Sequence, residues 1–175
     1  IDADVDAKIN QLANPWTTDV SSTFEKLVAL ESNSLAQFPA WTTAIWAGWT
    51  PADEAPQAVR IGKIEVEPSK LTGGLPYDAK LSLPDDHKLN VPFCLAFPDL
   101  GSIMIESDGD SAATIALNAI ALRLLAVHPP GRASFVFIDP VGLGKDFAGL
   151  MHLADYEETL INHRIWTQST QIEER

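Results

Sequence analysis

A long apolar stretch at residues 110–127 constrains the fold more than any other feature of the sequence. Past its first turn, only Asn118 and Arg123 are clearly polar. Pro129 and Pro130 follow directly, and a proline stops a helix because it lacks the backbone N–H donor. The pattern therefore predicts one long helix that is apolar on most sides. Such a helix is typically packed between the layers of a domain.

Short apolar segments flank this helix on both sides and are typical of buried strands. Residues 101–106 read GSIMIE, and residues 135–138 read FVFI. A continuous apolar run is expected of a strand that is covered on both faces. Strand, helix and strand together predict a βαβ unit with parallel strands and a right-handed crossover. Ligands of such sheets bind at the carboxyl ends of the strands, where Glu106 and Asp139 are expected to lie.

The first third of the chain is predicted to be helical. Apolar spacing indicates one helix over residues 1–13, a second one after Pro15 and a third one over residues 35–49. Four of the five tryptophans lie here, and we interpret them as a packing surface between helices or between these helices and the next domain. The alternative is a base-stacking platform, but the interleaved Lys and Arg of such a platform are absent from the sequence. The polar segment TPADEAPQ contains two prolines and indicates a boundary. We therefore expect a helical adaptor at 1–54 and a second domain at 57–175.

The second domain is predicted to contain strands and helices in alternation. The expected strands are at 58–67, near 79–83, at 91–97 and at 164–167, and short helices are expected at 154–161 and from Ser169. Together with the central βαβ unit, these elements predict an α/β domain with a mostly parallel sheet, preceded by a helical segment.

The charge balance limits the partners of the chain. The sequence has 24 acidic and 12 basic residues, a net charge of −12, and no basic patch. Because nucleic-acid binding depends mainly on phosphate neutralisation, we expect no direct DNA contact. The sequence contains no uncharged run of about 18 apolar residues and no visible signal peptide, so we expect a cytoplasmic protein without membrane contact. Because the chain begins with Ile rather than Met, we interpret it as a fragment of a longer protein or as a processed product. The one cysteine, Cys94, is interpreted as a buried structural thiol.

The loop before the long helix has the position of a phosphate-binding loop. Such a loop requires glycines, a lysine for the terminal phosphates and a Ser or Thr for magnesium, as in G-x-x-x-x-G-K-[ST]. The loop reads SDGDSAAT, so that Ala113 stands at the lysine position and only Thr114 fits. Glu106, Asp108 and Asp110 add carboxylates that would repel a triphosphate. An Asp in the first turn also satisfies the helix N-terminus from within the chain.

Metal binding is not expected. An EF-hand loop that starts at Glu106 would need a Glu at its twelfth position, where Leu117 stands. The histidines show no spacing that is typical of metal ligands. At the end of the second predicted strand, Asp139 is expected to cap the turn at 140–142. Thr114 is expected to bond to backbone in the first helical turn rather than to magnesium.

Three segments of the second domain carry a resemblance to a known family. They are ALNAIALRLLAVHPPGRASFVFIDPVG, AGLMHL and IWTQSTQIEER, in this order. In order and spacing they resemble the FtsK/SpoIIIE family of DNA-translocating ATPases, and RIGKIEV is similar to a strand of type VII secretion motors. The resemblance covers residues 58–175 and implies a P-loop or RecA-like fold. It places Thr114 and Asp139 in a vestigial nucleotide site, while Ala113 and Val141 replace lysines of the family.

The resemblance implies a non-catalytic ATPase-like domain of a larger DNA-translocase-like protein. Such a domain would pack against ATPase modules or subunits, in a homo-oligomer, and DNA would be bound only by other regions. No catalytic residue and no ATP or magnesium are expected in this chain. One alternative is a genuine ATP-binding translocase fragment in which Lys145, or a residue beyond Arg175, replaces the missing lysine. Another alternative is an interaction module that acts through the tryptophan-rich helices.

Overall fold

A computed structural model of the chain describes residues 2–83, 88–161 and 164–173, apart from the side chains of residues 2, 72 and 110. The α-helices are α1 (Asp2–Gln37), α2 (Pro68–Thr72), α3 (Asp110–Val127) and α4 (Ser169–Glu173). The strands are β1 (Ala58–Val66), β2 (Leu89–Ala96), β3 (Phe137–Ile138) and β4 (Ile165–Trp166). Short 3-10 helices lie at Ala44–Gly48, Ala79–Leu81, Lys145–Asp155 and Glu158–Leu160. The chain is a mixed α/β protein, as predicted.

The strands form two separate two-stranded sheets, β1 with β2 and β3 with β4. Strands β3 and β4 are parallel, with Phe137 opposite Ile165. The predicted strand at 101–106 is wrong, because residues 101–107 belong to no helix or strand of the described chain. The parallel partner of β3 therefore follows it in the sequence. An apolar run does not by itself identify a strand, since a strand requires a neighbour that pairs with its backbone N–H and C=O groups.

One continuous helix, α1, replaces the two predicted N-terminal helices. Pro15 lies inside α1 and does not end it. The less exposed side chains of α1 include Ile9, Trp16, Phe24 and Leu27, which follow a helical spacing on both sides of the proline. Burial of this single stripe offsets the backbone hydrogen bond that Pro15 removes.

The predicted helix at 35–49 is also wrong. Its first residues belong to the end of α1, which stops at Gln37. The rest of this described range contains one short 3-10 helix, Ala44–Gly48. Between them, Thr43 donates to the carbonyl of Ala40 through its hydroxyl at 2.8 Å and through its backbone N–H at 3.1 Å. Such local bonds compete with the helical hydrogen-bond pattern.

Helix α3 has the predicted bounds but not the predicted burial. His128 is the C-cap of the helix, and its N–H donates to the carbonyl of Leu124. Ala121 and Val127 are buried, whereas Ile115 and Leu122, which are seven residues apart and therefore share a face, are 67% and 42% exposed. The expectation of a helix between two layers is therefore wrong for the described chain. Apolar composition shows that a helix can be buried, but the packing partners decide which face is buried.

Strands β1, β2 and β4 and helix α4 lie where they were predicted, within one or two residues at most ends. The predicted strand near 79–83 is wrong, because Ala79–Leu81 is a 3-10 helix. The carboxylate of Asp78 accepts the N–H of Lys80 at 2.9 Å and so caps this turn. In place of the predicted helix at 154–161 there are the end of the 3-10 helix Lys145–Asp155 and the whole of the short 3-10 helix Glu158–Leu160.

The described residues divide into two compact units. One comprises Ile1–Ala44 and Gly62–Cys94, and the other comprises Ile45–Ile61 and Leu95–Arg175. The boundary predicted at residues 54–57 stays a prediction. Among the described helices, none is both long and apolar enough to cross a membrane.

The core of the second unit positions the candidate site. Phe137 of β3 is buried, and its ring stacks on Phe147 at 4.8 Å and on Phe135 at 5.8 Å between ring centroids. Ala121 of α3 and Leu150 of the following 3-10 helix belong to the same cluster. This cluster holds β3, α3 and the segment after β3 together, so that the end of β3 lies near the start of α3.

Candidate functional site

A cleft of about 690 Å³ lies between the start of α3 and the segment after β3, within the second unit. Glu106 and Asp139 both line it, but only Asp139 follows a strand, because residues 101–107 form none. Thr114 and Ala113 line the same cleft, as does Lys145. The structure thus brings together the two residues predicted for a nucleotide site and the lysine of the alternative hypothesis.

Asp139 is the most buried charged residue of this cleft, with 6% of its surface exposed. Its Oδ1 accepts the backbone N–H of Gly142 at 2.7 Å. Its Oδ2 accepts the N–H of Gly144 at 2.9 Å and, more weakly, that of Asp146 at 3.3 Å. The predicted capping of the turn after β3 is confirmed, and it extends four residues further than predicted. We call residues 139–146 the Asp139 loop.

Glycine allows the Asp139 loop to approach the carboxylate closely. A Cβ atom at Gly142 would lie only 2.6 Å and 2.8 Å from the two carboxylate oxygens of Asp139. Leu143 and Gly144 have φ angles of 53° and 86°, in the left-handed region that glycine adopts without steric cost. The sequence DPVGLGKD contains these glycines, but their contact with Asp139 follows only from the folded loop.

Asn118 connects the two walls of the cleft. Its Nδ2 donates to the carbonyl of Thr114 within α3 and to the carbonyl of Asp146 in the Asp139 loop, both at 2.8 Å. In the sequence Asn118 is a polar exception in an apolar helix, but its contact with the Asp139 loop was not predicted. The exception was the available signal, because a partly buried amide requires hydrogen-bond partners.

The loop before α3 contains a local side-chain hydrogen bond. Gly109 is the N-cap of α3 and provides no side-chain cap, and the hydroxyl of Ser107 donates to the carbonyl of Gly109 at 2.7 Å. Asp110 was predicted to cap the helix, but its side chain is not among those that the structure describes. Thr114 is half-buried, and its hydroxyl role stays a prediction.

The charged side chains of the cleft are mainly acidic. Glu106, Asp139 and Asp146 contribute carboxylates, and Lys145 contributes the ammonium group. Lys145 is exposed and forms no ion pair with any side chain that the structure describes. A triphosphate would meet net repulsion from these groups, since like charges a few ångströms apart disfavour each other.

The tryptophans near residue 46 pack inside the second unit. The rings of Trp46 and Trp49 are 4.8 Å apart, and the Trp49 Nε1–H donates to the carbonyl of Ala126 at 2.7 Å. The Arg123 guanidinium lies 5.2 Å from the Trp46 ring. The pKa of Arg123 is lowered mainly by burial of its guanidinium, and the positive charge of Arg60 lowers it further. The interpretation of these two tryptophans as a packing surface is therefore confirmed.

Other candidate groups do not assemble into a site. Among the residues that the structure describes, no group of three His, Cys, Asp or Glu side chains could hold a metal ion. His152 is exposed and lies 3.3 Å from Asp155, while His87 and His163 are outside the described residues. Cys94 is half-buried rather than buried.

The resemblance inferred from the sequence receives no support from comparison with known proteins. The chain matches no protein-family model, no curated protein and no solved structure.

Proposed function

We propose that residues 57–175 form a non-catalytic, degenerate P-loop or RecA-like domain of an FtsK/SpoIIIE-like protein. Its role is structural: the domain contributes to the assembly of a larger translocase without binding ATP itself. The proposal extends the family resemblance of the sequence. It takes its physical support from the cleft between the start of α3 and the segment after β3, whose charged groups disfavour a nucleotide.

This proposal rests mainly on the hydrogen bonds that the Asp139 carboxylate accepts from its own loop. In a nucleotide site, backbone N–H groups and a lysine must be available to phosphate oxygens. Here, three N–H groups of the Asp139 loop are already bonded to Asp139. Ala113 stands where the lysine of a phosphate-binding loop is required, and Glu106 adds a further negative charge. Phosphate would therefore find few donors and several carboxylates.

An assembly role determines the kind of partner that we propose. The partners are ATPase modules or other subunits of the same protein, in a homo-oligomer located in the cytoplasm. The net charge of −12 disfavours direct contact with DNA, so DNA would be bound by other regions. Residues 1–54 would serve as an adaptor to these partners.

Calorimetry with Mg-ATP tests the proposal. We expect no saturable heat when Mg-ATP is titrated into the chain up to millimolar concentration. Dissociation constants in the micromolar range would contradict the proposal. An active ATPase module measured under the same conditions confirms that the nucleotide and magnesium are competent to bind.

A second candidate is a genuine nucleotide site in which Lys145 serves as the phosphate ligand. One observation favours it: Lys145 and Thr114 line the same cleft. This candidate predicts micromolar binding of Mg-ATP that Lys145→Ala weakens at least tenfold. Lys63→Ala is the matched control, because Lys63 is an exposed lysine of β1 and does not line the cleft. Binding that is unchanged in Lys145→Ala would reject Lys145 as the ligand.

A further inference from the structure

The Asp139 loop arranges three backbone N–H groups around one carboxylate. The donors belong to alternate residues, Gly142, Gly144 and Asp146, and both oxygens of Asp139 accept. Backbone N–H groups that point into one concavity can bind an anion. Charge-assisted hydrogen bonds from such groups are stronger than bonds between neutral partners. The loop therefore has the donor arrangement of an oxyanion site.

We propose that these three N–H groups form an oxyanion site that the Asp139 carboxylate occupies from within. The carboxylate serves as a built-in ligand, and the site is closed to external carboxylates and phosphates as long as Asp139 is present. The 6% exposure of Asp139 supports this view, because a carboxylate removed from water must be compensated by hydrogen bonds. This inference concerns the loop alone and does not rest on the proposed function.

The fit of the loop around the carboxylate is close. A Cβ atom added at Gly142 would point at the carboxylate of Asp139 and would lie only 2.6 Å from its Oδ2. A carboxylate therefore fills the site, and removal of the Asp139 side chain leaves a space for a group of the same size. The deleted group, CH₂–COO⁻, has the shape of acetate, which makes acetate the matching probe.

Rescue of Asp139→Gly by acetate tests the proposal. We expect the variant to melt about 5 °C or more below the wild type, since three N–H groups lose their acceptor. Sodium acetate should raise the melting temperature of the variant with saturation in the millimolar range. Sodium chloride at equal ionic strength is the control. In NMR spectra, acetate should shift the amide signals of Gly142, Gly144 and Asp146 in the variant and leave those of the wild type unchanged.

Two results would overturn the proposal. One is a variant that responds to acetate no more than to chloride, and the other is a wild-type chain whose loop amides already bind acetate. If Asp139→Gly does not fold, Asp139→Ala with formate replaces it, because the remaining methyl group leaves space for the smaller anion. Failure of both anions to stabilise or refold their variants would reject the oxyanion site. The outcome is separate from that of the Mg-ATP titration, which probes the whole cleft.

Discussion

The side-chain amide of Asn118 donates a hydrogen bond to the backbone carbonyl of Asp146, with 2.8 Å between nitrogen and oxygen. The same amide donates to Thr114 one turn earlier in α3. Because Asp146 also donates its N–H to Asp139, the chain of contacts runs from α3 through the Asp139 loop to the end of β3. Asn118 thus holds one wall of the cleft against the other.

Replacement of Asn118 by Ala should destabilise the fold. The variant loses two hydrogen bonds in a partly buried position, which together stabilise the fold by about 1–2 kcal/mol. The better helix propensity of Ala recovers only part of this loss. Urea denaturation measures the difference. Ser111→Ala, at an exposed position of the same helix, is the control and should change the free energy of unfolding by less than about 0.5 kcal/mol. Equal effects of the two variants would contradict the proposed link.

A methyl group at Gly142 should disrupt the Asp139 loop. Its Cβ would lie 2.6 Å from a carboxylate oxygen of Asp139, so that Gly142→Ala should destabilise the chain by roughly 1–3 kcal/mol. Gly149→Ala in the neighbouring 3-10 helix is the control, because its added Cβ would meet no atom within 4 Å apart from its chain neighbours and the local helix backbone.

A double-mutant cycle separates this clash from other effects of the methyl group. In an Asp139→Ala background, Gly142→Ala should cost at least about 1 kcal/mol less than in the wild type, since the clashing oxygens are absent. Additive effects of the two substitutions would show that the methyl group acts in some other way.

Phe137 should contribute more to stability than its neighbour in the same strand. Phe137 is 8% exposed and stacks between Phe135 and Phe147, whereas the side chain of Val136 is 48% exposed. Phe137→Ala should therefore cost about 3–5 kcal/mol through lost burial and a cavity. Val136→Ala should cost about 1 kcal/mol or less. Chemical denaturation of both variants measures the contrast, which similar losses would refute.

An ion pair in the first unit should produce a measurable pKa shift. Lys88 Nζ lies 2.8 Å from Glu65 Oε1, and this hydrogen bond, followed by the charge of Lys88, lowers the pKa of Glu65. A carboxyl whose pKa is lowered by folding stabilises the fold above its unfolded pKa and loses that contribution as the pH falls through the folded pKa. Because both side chains are exposed, the stability effect is small and is screened by salt.

NMR titration of Glu65 in Lys88→Met tests this assignment. The pKa of Glu65 should rise towards its ordinary value when Lys88 is replaced. The pKa of Glu157, which is lowered by hydrogen bonds from Thr159, should not change and serves as the control. An unchanged pKa of Glu65 would show that Lys88 is not the cause.

The sequence by itself determined the elements whose signals are local. The bounds of α3 follow from an apolar run that two prolines end. Strand β1 follows from alternating apolar and polar residues, and β2 follows from a short apolar segment. The missing lysine at Ala113 and the acidic composition of the cleft are also sequence properties. Side-chain chemistry and backbone propensity act over a few residues, and they do not depend on contacts with distant parts of the chain.

Only the tertiary structure decided which segments meet. Pairing of β3 with β4 rather than with residues 101–106, the passage of α1 through Pro15 and the exposed face of α3 all depend on partners that are distant in the sequence. The same holds for the hydrogen bonds of Asp139, since the left-handed turn at residues 143–144 must form before three N–H groups converge. Burial and hydrogen bonding are properties of the assembled neighbours, and a single residue does not encode them.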